Sequence, residues 1–303
     1  MAEPRQRVLY GVAETVAPQV RRVTCRNPSP MTHMGTQTYL VGRGDVVLID
    51  PGPDDVGHRL ALLSALKPGE RIRSILVTHS HRDHSRGVSA MVAETGAEVL
   101  AFGPHGAGMW PGMARLAAEG LDLGGGEGAD RSFRPDRCLS DGEAIGHGGL
   151  VALHTPGHLS NHLAFSLEDV GIVFTGDAVM GWATTLVSPP EGDMAAQIET
   201  LGRLARRRDR LFLPGHGPGV RDPATLVRQH LAHRQARERQ ILSALNHGPG
   251  SPGDLAARVY TDIDPALLPA AARNVFATLL GLLDRDGVAC EGPVSAKASF
   301  RRL

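Results

Sequence analysis

The chain has 303 residues, enough for about two domains of ~150 residues each. Its 32 Lys+Arg balance 32 Asp+Glu, with 42% hydrophobic and 21% charged residues, a composition that excludes wholesale disorder. Aromatics at 4% exclude a base-stacking platform as the main binding device.

No run approaches the ~18 uninterrupted apolar residues of a membrane span, so no membrane partner is expected. Residues 1–7 lack the apolar core of a signal peptide. Cys25, Cys138 and Cys290 are odd in number and far apart, which supports neither a disulfide framework nor a Cys-based zinc knuckle. A cytoplasmic location is the expectation. Lys67 and Lys297 are the only lysines, and the arginine excess, together with 37 Gly and 21 Pro, reads as composition bias.

Strands are expected where short aliphatic runs stop at turn residues: 46–49, 72–77, 97–102, 150–153, 162–167, 171–174 and 211–213. Helical patterns lie between them at 56–66, 87–95 and 194–206. Interleaved strands and helices in one core predict an α/β layered domain. The stretch 103–141, with Gly124, Gly125, Gly126 and Gly128, reads as a long functional or mobile loop around a short helix at 113–119.

Beyond Gly219 the pattern becomes helical: a long amphipathic helix at 225–245, then a short one that Ser251 caps with Pro252 at its first position. A third helix opens at Asp264-Pro265, and two strand candidates follow at 288–290 and 297–300. This is the order of a winged helix-turn-helix. The boundary is placed near Asp222, giving domains 1–222 and 223–303. The second carries ten Lys+Arg against seven Asp+Glu. There is no internal repeat.

Histidine is the informative count, at 14. Strand runs end at His79-Ser80-His81-Arg82-Asp83-His84, His158, Asp177 and His216. Groups just beyond strand ends share one edge of an α/β sheet, so these residues converge. Imidazole and carboxylate suit zinc, and also iron or manganese. Seven side chains exceed the four positions of one tetrahedral ion and imply two. His79 and His81 lie two apart on an extended segment and point the same way, while Asp83 and His84 fall where a helix begins. Gly157, Gly176 and Gly215 allow tight turns beside the remote ligands. Any one of these histidines alone reads as a satisfied polar residue; the seven together do not.

The run 79–84 resembles the HxHxDH signature of the metallo-β-lactamase superfamily, and Thr155-Pro156-Gly157-His158, Phe174-Thr175-Gly176-Asp177 and Pro214-Gly215-His216-Gly217 match its remaining motifs in order. The resemblance covers about residues 30–220 and implies an αββα sandwich. It also implies a first zinc held by His79, His81 and His158, a second by Asp83, His84 and His216, and Asp177 bridging them. No ligand is lost, as it would be in a metal-free relative. Residues 35–40, His158 to His162 and the winged-helix tail are similar to the lactamase-β-2-like branch, which includes an endoribonuclease and fungal polyketide thioesterases. Gln37, where relatives carry Asn, and Phe300, where Trp is common, depart from that branch.

The resemblance also implies a metal-bridging hydroxide as nucleophile, with Asp83 as a ligand able to accept its hydrogen bond. His162, four residues after His158, is expected either to orient substrate or protonate a leaving group, or to support a ligand from behind. His33, Gln37, Thr184 and Thr185 are the expected substrate contacts. Asp50 is expected to bind a metal-bound His or to cap a turn. His154 is expected in its strand, and His230 and His233 exposed.

β-Lactam hydrolysis is not expected, because Asp177 stands where zinc β-lactamases carry Cys or Ser. The substrate expectation is an ester: single-stranded RNA first, from branch and tail, and a thioester of glyoxalase II or polyketide type second. A nucleic-acid or partner-binding module is a third reading. The arginines at 203–210 and 228–239 are the RNA candidates, although a solvated helix face is the commoner meaning of such runs. The tail either walls the cleft or pairs two copies into a homodimer.

Overall fold

The computed structural model describes residues 8–146 and 148–303. Residues 1–7, which carry the expectation of no export signal, lie outside the described residues.

One sheet contains β1 (Glu14–Ala17), β2 (Val20–Thr24), β3 (Gln37–Val41), β4 (Asp45–Ile49), β5 (Arg71–Leu76), β6 (Glu98–Ala101) and β7 (Arg137–Cys138), paired in that order. The other contains β8 (Leu150–His154), β9 (Leu163–Leu167), β10 (Ile172–Gly176) and β11 (Leu211–Pro214), also paired in sequence. The helices of this part are α1 (Val56–Ser64), α2 (Arg82–Ser85), α3 (Val88–Thr95), α4 (Pro111–Ala118) and α5 (Met194–Leu204).

Pleating sorts each apolar run between two faces. Val47 and Ile49 of β4 meet Phe165, Phe174 and Leu213 of the second sheet in the inter-sheet core. Val46 and Leu48 point the other way, against Leu62 of α1 and Met91 of α3. On the far side, Ala164, Val173 and Phe212 pack on Leu201 and Leu204 of α5. Both faces of each central strand are therefore covered, which is why these strands read as continuous rather than alternating apolar runs. The result is the αββα sandwich expected.

The first three strands were not among those expected. The sequence of β2, Val-Arg-Arg-Val-Thr, interrupts an apolar run. The buried Arg21 is tolerated because it pairs with Glu70 at 2.7 Å and donates to the Ala65 carbonyl.

The tail comprises α6 (Pro223–Leu245), α7 (Pro252–Val259), α8 (Leu268–Asp284) and the hairpin β12 (Val288–Glu291) with β13 (Ser299–Arg302), the winged-helix order expected. α6 starts two residues earlier than expected, with Asp222 accepting from Thr225 N and Pro223 in the first turn. Ser251 and Asp254 form a capping box on α7. Pro265–Asp284 is long and apolar enough to cross a membrane. Here that apolarity supplies the tail's own core, where Val275, Phe276 and Leu279 pack with Leu255 and Phe300. Met113 of α4 joins the same core, so the segment 103–141 is anchored on the tail.

Phe165 is fully buried between the sheets. Phe165→Ala should lower stability by ~3–5 kcal/mol, read as a lower urea midpoint at unchanged slope.

Candidate metal centre

Four strand ends deliver the site. β4 runs into Asp50, held at φ 53, and β5 runs into Thr78 and His79. Asp50 Oδ1 accepts from Thr78 N at 2.7 Å, and Oδ2 accepts from Thr78 Oγ1 at 2.7 Å and from His84 Nδ1 at 2.8 Å. One carboxylate thus ties the end of β5 to α2 and turns His84 Nε2 into the site. Thr78 Oγ1 gives its proton to Asp50, so His79 Nδ1, 3.0 Å away, donates to it and Nε2 keeps its lone pair. His158 Nδ1 donates to the Leu186 carbonyl at 2.7 Å, which likewise frees its Nε2.

β10 ends at Gly176, where φ is 47 and a Cβ would lie 2.7 Å from His162 Nε2. β11 leads to Gly215, where a Cβ would lie 2.6 Å from the His84 ring and 2.7 Å from Asp177 Oδ1. A side chain at Gly215 would displace two ligands, and one at Gly176 would displace His162 and Thr78, which support them.

His79, His81, His158 and Asp177 place one ligand atom each within 4.8 Å of one another, and Asp83, His84 and His216 do the same. His81 Nδ1 lies 3.0 Å from both His79 Nε2 and His158 Nε2. Asp177 faces both groups, Oδ2 at 3.6 Å from His158 Nε2 and Oδ1 at 3.4 Å from His216 Nε2. Oδ1 is buried with no hydrogen-bond partner among the described residues. Converging lone pairs and an orphaned carboxylate oxygen are costly unless a cation lies among them. The donor set fits two ions.

The two groups differ electrostatically. Burial, and then neighbouring imidazoles, pull His79 well below the ordinary histidine pKa; burial likewise takes His81 down to about 3 and lowers His158. Burial also opposes charge on His84 and His216. Around His84, however, Asp83, Asp177 and Asp50 hold the pKa well above the ordinary value, and Asp177 and Asp83 hold His216 up at about 9. Burial would raise Asp83 and Asp177, but His84 and His216 hold both carboxyls below the usual range.

The other expected site residues fare differently. His162 is fully buried. Its Nε2 accepts from Asp177 N at 3.1 Å and its Nδ1 meets Thr155 Oγ1 at 2.8 Å, so it supports the Asp177 backbone and has no nitrogen left for a leaving group. Gln37 is also turned inward, its amide donating to the Gly217 carbonyl at 2.5 Å and accepting from Tyr39 at 2.6 Å. Thr185 is buried and its hydroxyl donates to the Asp177 carbonyl. Neither is a substrate contact; both brace ligand-bearing turns. His33 is exposed, with its ring 4.9 Å from Trp182, and Thr184 is half-buried. Asp83 Oδ2 accepts from Thr36 Oγ1 at 3.2 Å. His154 stacks on Phe102 in its strand at 3.9 Å. His230, expected exposed, is buried.

Sequence reasoning missed the closure of the site. The glycine-rich segment crosses its mouth: Arg82 N donates to the Gly128 carbonyl at 2.9 Å, Asp130 N to the Ser80 carbonyl at 2.7 Å, and Ser188 Oγ to the Gly124 carbonyl. The cavity beside His81 and His158 measures only about 10 Å³.

Two outcomes follow. His216→Ala should abolish one of two metal-binding steps, whereas Asp177→Ala should weaken both, read by calorimetric titration of demetallated protein. In the metal-free protein, His84 and His216 have raised pKa values, so their contribution is full below pH 6.5 and is lost as pH rises through those raised values, about 9 for His216. His79, His81, His158 and His162 have lowered ones, so theirs is present above pH 6.5 and is lost as pH falls below it. The melting temperature of chelator-treated protein should therefore peak near neutrality and fall on both sides.

The metallo-beta-lactamase superfamily model matches residues 31–216, and the beta-lactamase associated winged helix domain matches residues 251–293. A beta-lactamase-like protein 2 homolog of Drosophila melanogaster is 30% identical over 279 residues, 88% of each chain. An atrochrysone carboxyl ACP thioesterase of Aspergillus fumigatus is 30% identical over 241 residues, 77% of this chain and 67% of that protein. The crystal structure of a beta-lactamase domain protein from Burkholderia ambifaria has the same fold, with a TM-score of 0.79 at 22% identity over 99% of this chain and 96% of that one. With its strand-end histidines and aspartates in two facing groups, the chain belongs to the metallo-beta-lactamase superfamily, in the beta-lactamase-like protein 2 branch, and is a metal-dependent hydrolase.

Proposed function

We propose that this chain hydrolyses a thioester with an apolar, uncharged acyl part, using two zinc ions. His79, His81 and His158 would hold one, Asp83, His84 and His216 the other, and Asp177 both. The carrying observation is the cleft that borders the metal pocket. A cavity of about 320 Å³ lies between the turn before His158, α5 and α8. Met109, Trp110, Met113 and Leu280 give it an apolar wall, and Glu191 and Asp284 are among its carboxylates. Glu191 also lines the small cavity beside His81 and His158, so it marks the passage from one to the other. Among the described residues, no lysine or arginine lines the large cavity. An acyl chain gains from that wall; a phosphodiester backbone, which needs cations, does not. The curated relative named as a carrier-protein thioesterase supports the same class.

Bound in this site, the ions supply an activated water near neutral pH and polarise the carbonyl. The chain's own residues do the rest. Asp50, Thr78 and the Leu186 carbonyl fix the ring tautomers, His162 fixes the Asp177 backbone, and the 124–130 segment excludes bulk water.

The arginines behind an RNA reading are largely engaged within the fold. Arg203 pairs with Asp141 at 2.8 Å, Arg207 with Asp209 at 2.7 Å, and Arg210 donates to the Val170 carbonyl at 2.6 Å. Arg234 is buried, and Arg237 lies over the Tyr260 ring at 4.2 Å. The zinc-loaded protein should cleave neutral acyl thioesters with saturable kinetics, at a kcat/KM at least about tenfold above that for a succinyl thioester on the same thiol. Short single-stranded RNA should remain intact at low salt. RNA cleavage without thioester turnover would overturn the proposal.

A further inference from the structure

Arg234 sits in the middle of α6 and is 4% exposed, yet among the described residues it has no carboxylate partner. Its guanidinium meets neutral acceptors instead. Nη2 donates to the Thr185 carbonyl, and Nη1 to Asn274 Oδ1 at 3.3 Å. The same Asn274 oxygen, on α8, accepts from Val187 N at 3.0 Å. Burial lowers the Arg234 pKa only to about 10, so the group stays charged at neutral pH. A buried charge without a counter-charge is costly, and its hydrogen bonds reach one short loop, directly at Thr185 and through Asn274 at Val187.

That loop carries the site. Between the two gripped residues lies Leu186, whose carbonyl accepts from His158 Nδ1 at 2.7 Å. The hydroxyl of Thr185 donates to the carbonyl of Asp177. The side chain of Val187 is fully buried against Met194 of α5 and Ala277 of α8, which fixes the third point. The main chain at 185–187 is thus held by two tail helices on one side and orients two ligand-bearing residues on the other.

We infer that Arg234 and Asn274 are positioning residues of the metal centre, through which the C-terminal helices hold His158 and Asp177 in ligating geometry. This rests on the two-ion reading of the site. Removing such a support behind a ligand costs about 10–100-fold in metal affinity.

The test is zinc titration of demetallated full-length protein by calorimetry, with the melting temperature of the metal-free protein measured in parallel. Wild type should show two binding steps; fewer than two would refute the two-ion reading itself. Arg234→Met should weaken the step that uses His158 by about 10–100-fold, and the other by less through Asp177, while the metal-free protein melts no lower than wild type, since the buried charge is gone. Asn274→Leu should weaken the same step. Asn274→Asp keeps an acceptor for both Arg234 and Val187 and should restore it. Should Arg234→Met fail to fold, the two Asn274 variants carry the comparison alone. Two wild-type binding steps persisting unchanged in Arg234→Met, or in Asn274→Leu, would overturn the inference. So would a lower metal-free melting temperature with both steps intact, the mark of a merely structural role.

Discussion

Six imidazoles and three carboxylates are buried at one end of the β-sandwich, and taking them out of water is unfavourable for every one of them in its charged form. The surrounding structure answers that cost in one repeated way. Four of the five ligating rings spend a nitrogen on a fixed partner and offer the other inward. His79 uses Thr78, His84 uses Asp50, His158 uses the Leu186 carbonyl, and His216 Nδ1 faces the Gly35 carbonyl at 3.3 Å. These partners come from four separate segments, so the geometry of the centre depends on the packing of the whole sandwich.

The division of charge follows from where the carboxylates lie. Asp50, Asp83 and Asp177 surround His84, and two of them face His216, whereas His79 and His81 have mostly other imidazoles around them. Without ions, one half of the site is therefore neutral and the other holds protons that an incoming cation must displace. Asp177 is shared by both halves, which couples them.

Much of this was legible in the sequence because its cause is local. An aliphatic run stopped by a turn and followed by His or Asp is a strand delivering a ligand, and all seven candidates arrive at one place. What stayed hidden depends on tertiary partners. The strand β2 carries two arginines and is a strand because Glu70 and the Ala65 carbonyl receive one of them. Gln37, Thr185 and His162 have side chains that suit substrate contact, but each is consumed by a backbone group distant in sequence. Arg234 looked like one arginine in a solvated row, and its acceptors lie 40 and 49 residues away. The glycine-rich segment signalled an unusual loop, but nothing in its sequence tells that it runs past His81.

The tail shows why net charge is a poor guide to partners. Its surplus of three positive charges invites a polyanion, but such a surplus acts only where the cations are free. Here Arg234 is turned into the loop behind His158, Arg237 is laid over Tyr260, and Arg285 is paired with Glu238 at 2.9 Å. What the tail contributes to the cleft is Leu280, Gly281 and Asp284 of α8: an apolar patch, a close approach and a negative charge. The same helix presents Asn274 to the ligand-bearing loop from a position six residues, less than two turns, before Leu280. A single element of the tail therefore walls the cavity and braces the ligand loop. A substitution that repacks α8 would consequently change the cavity wall and the ligand-bearing loop together.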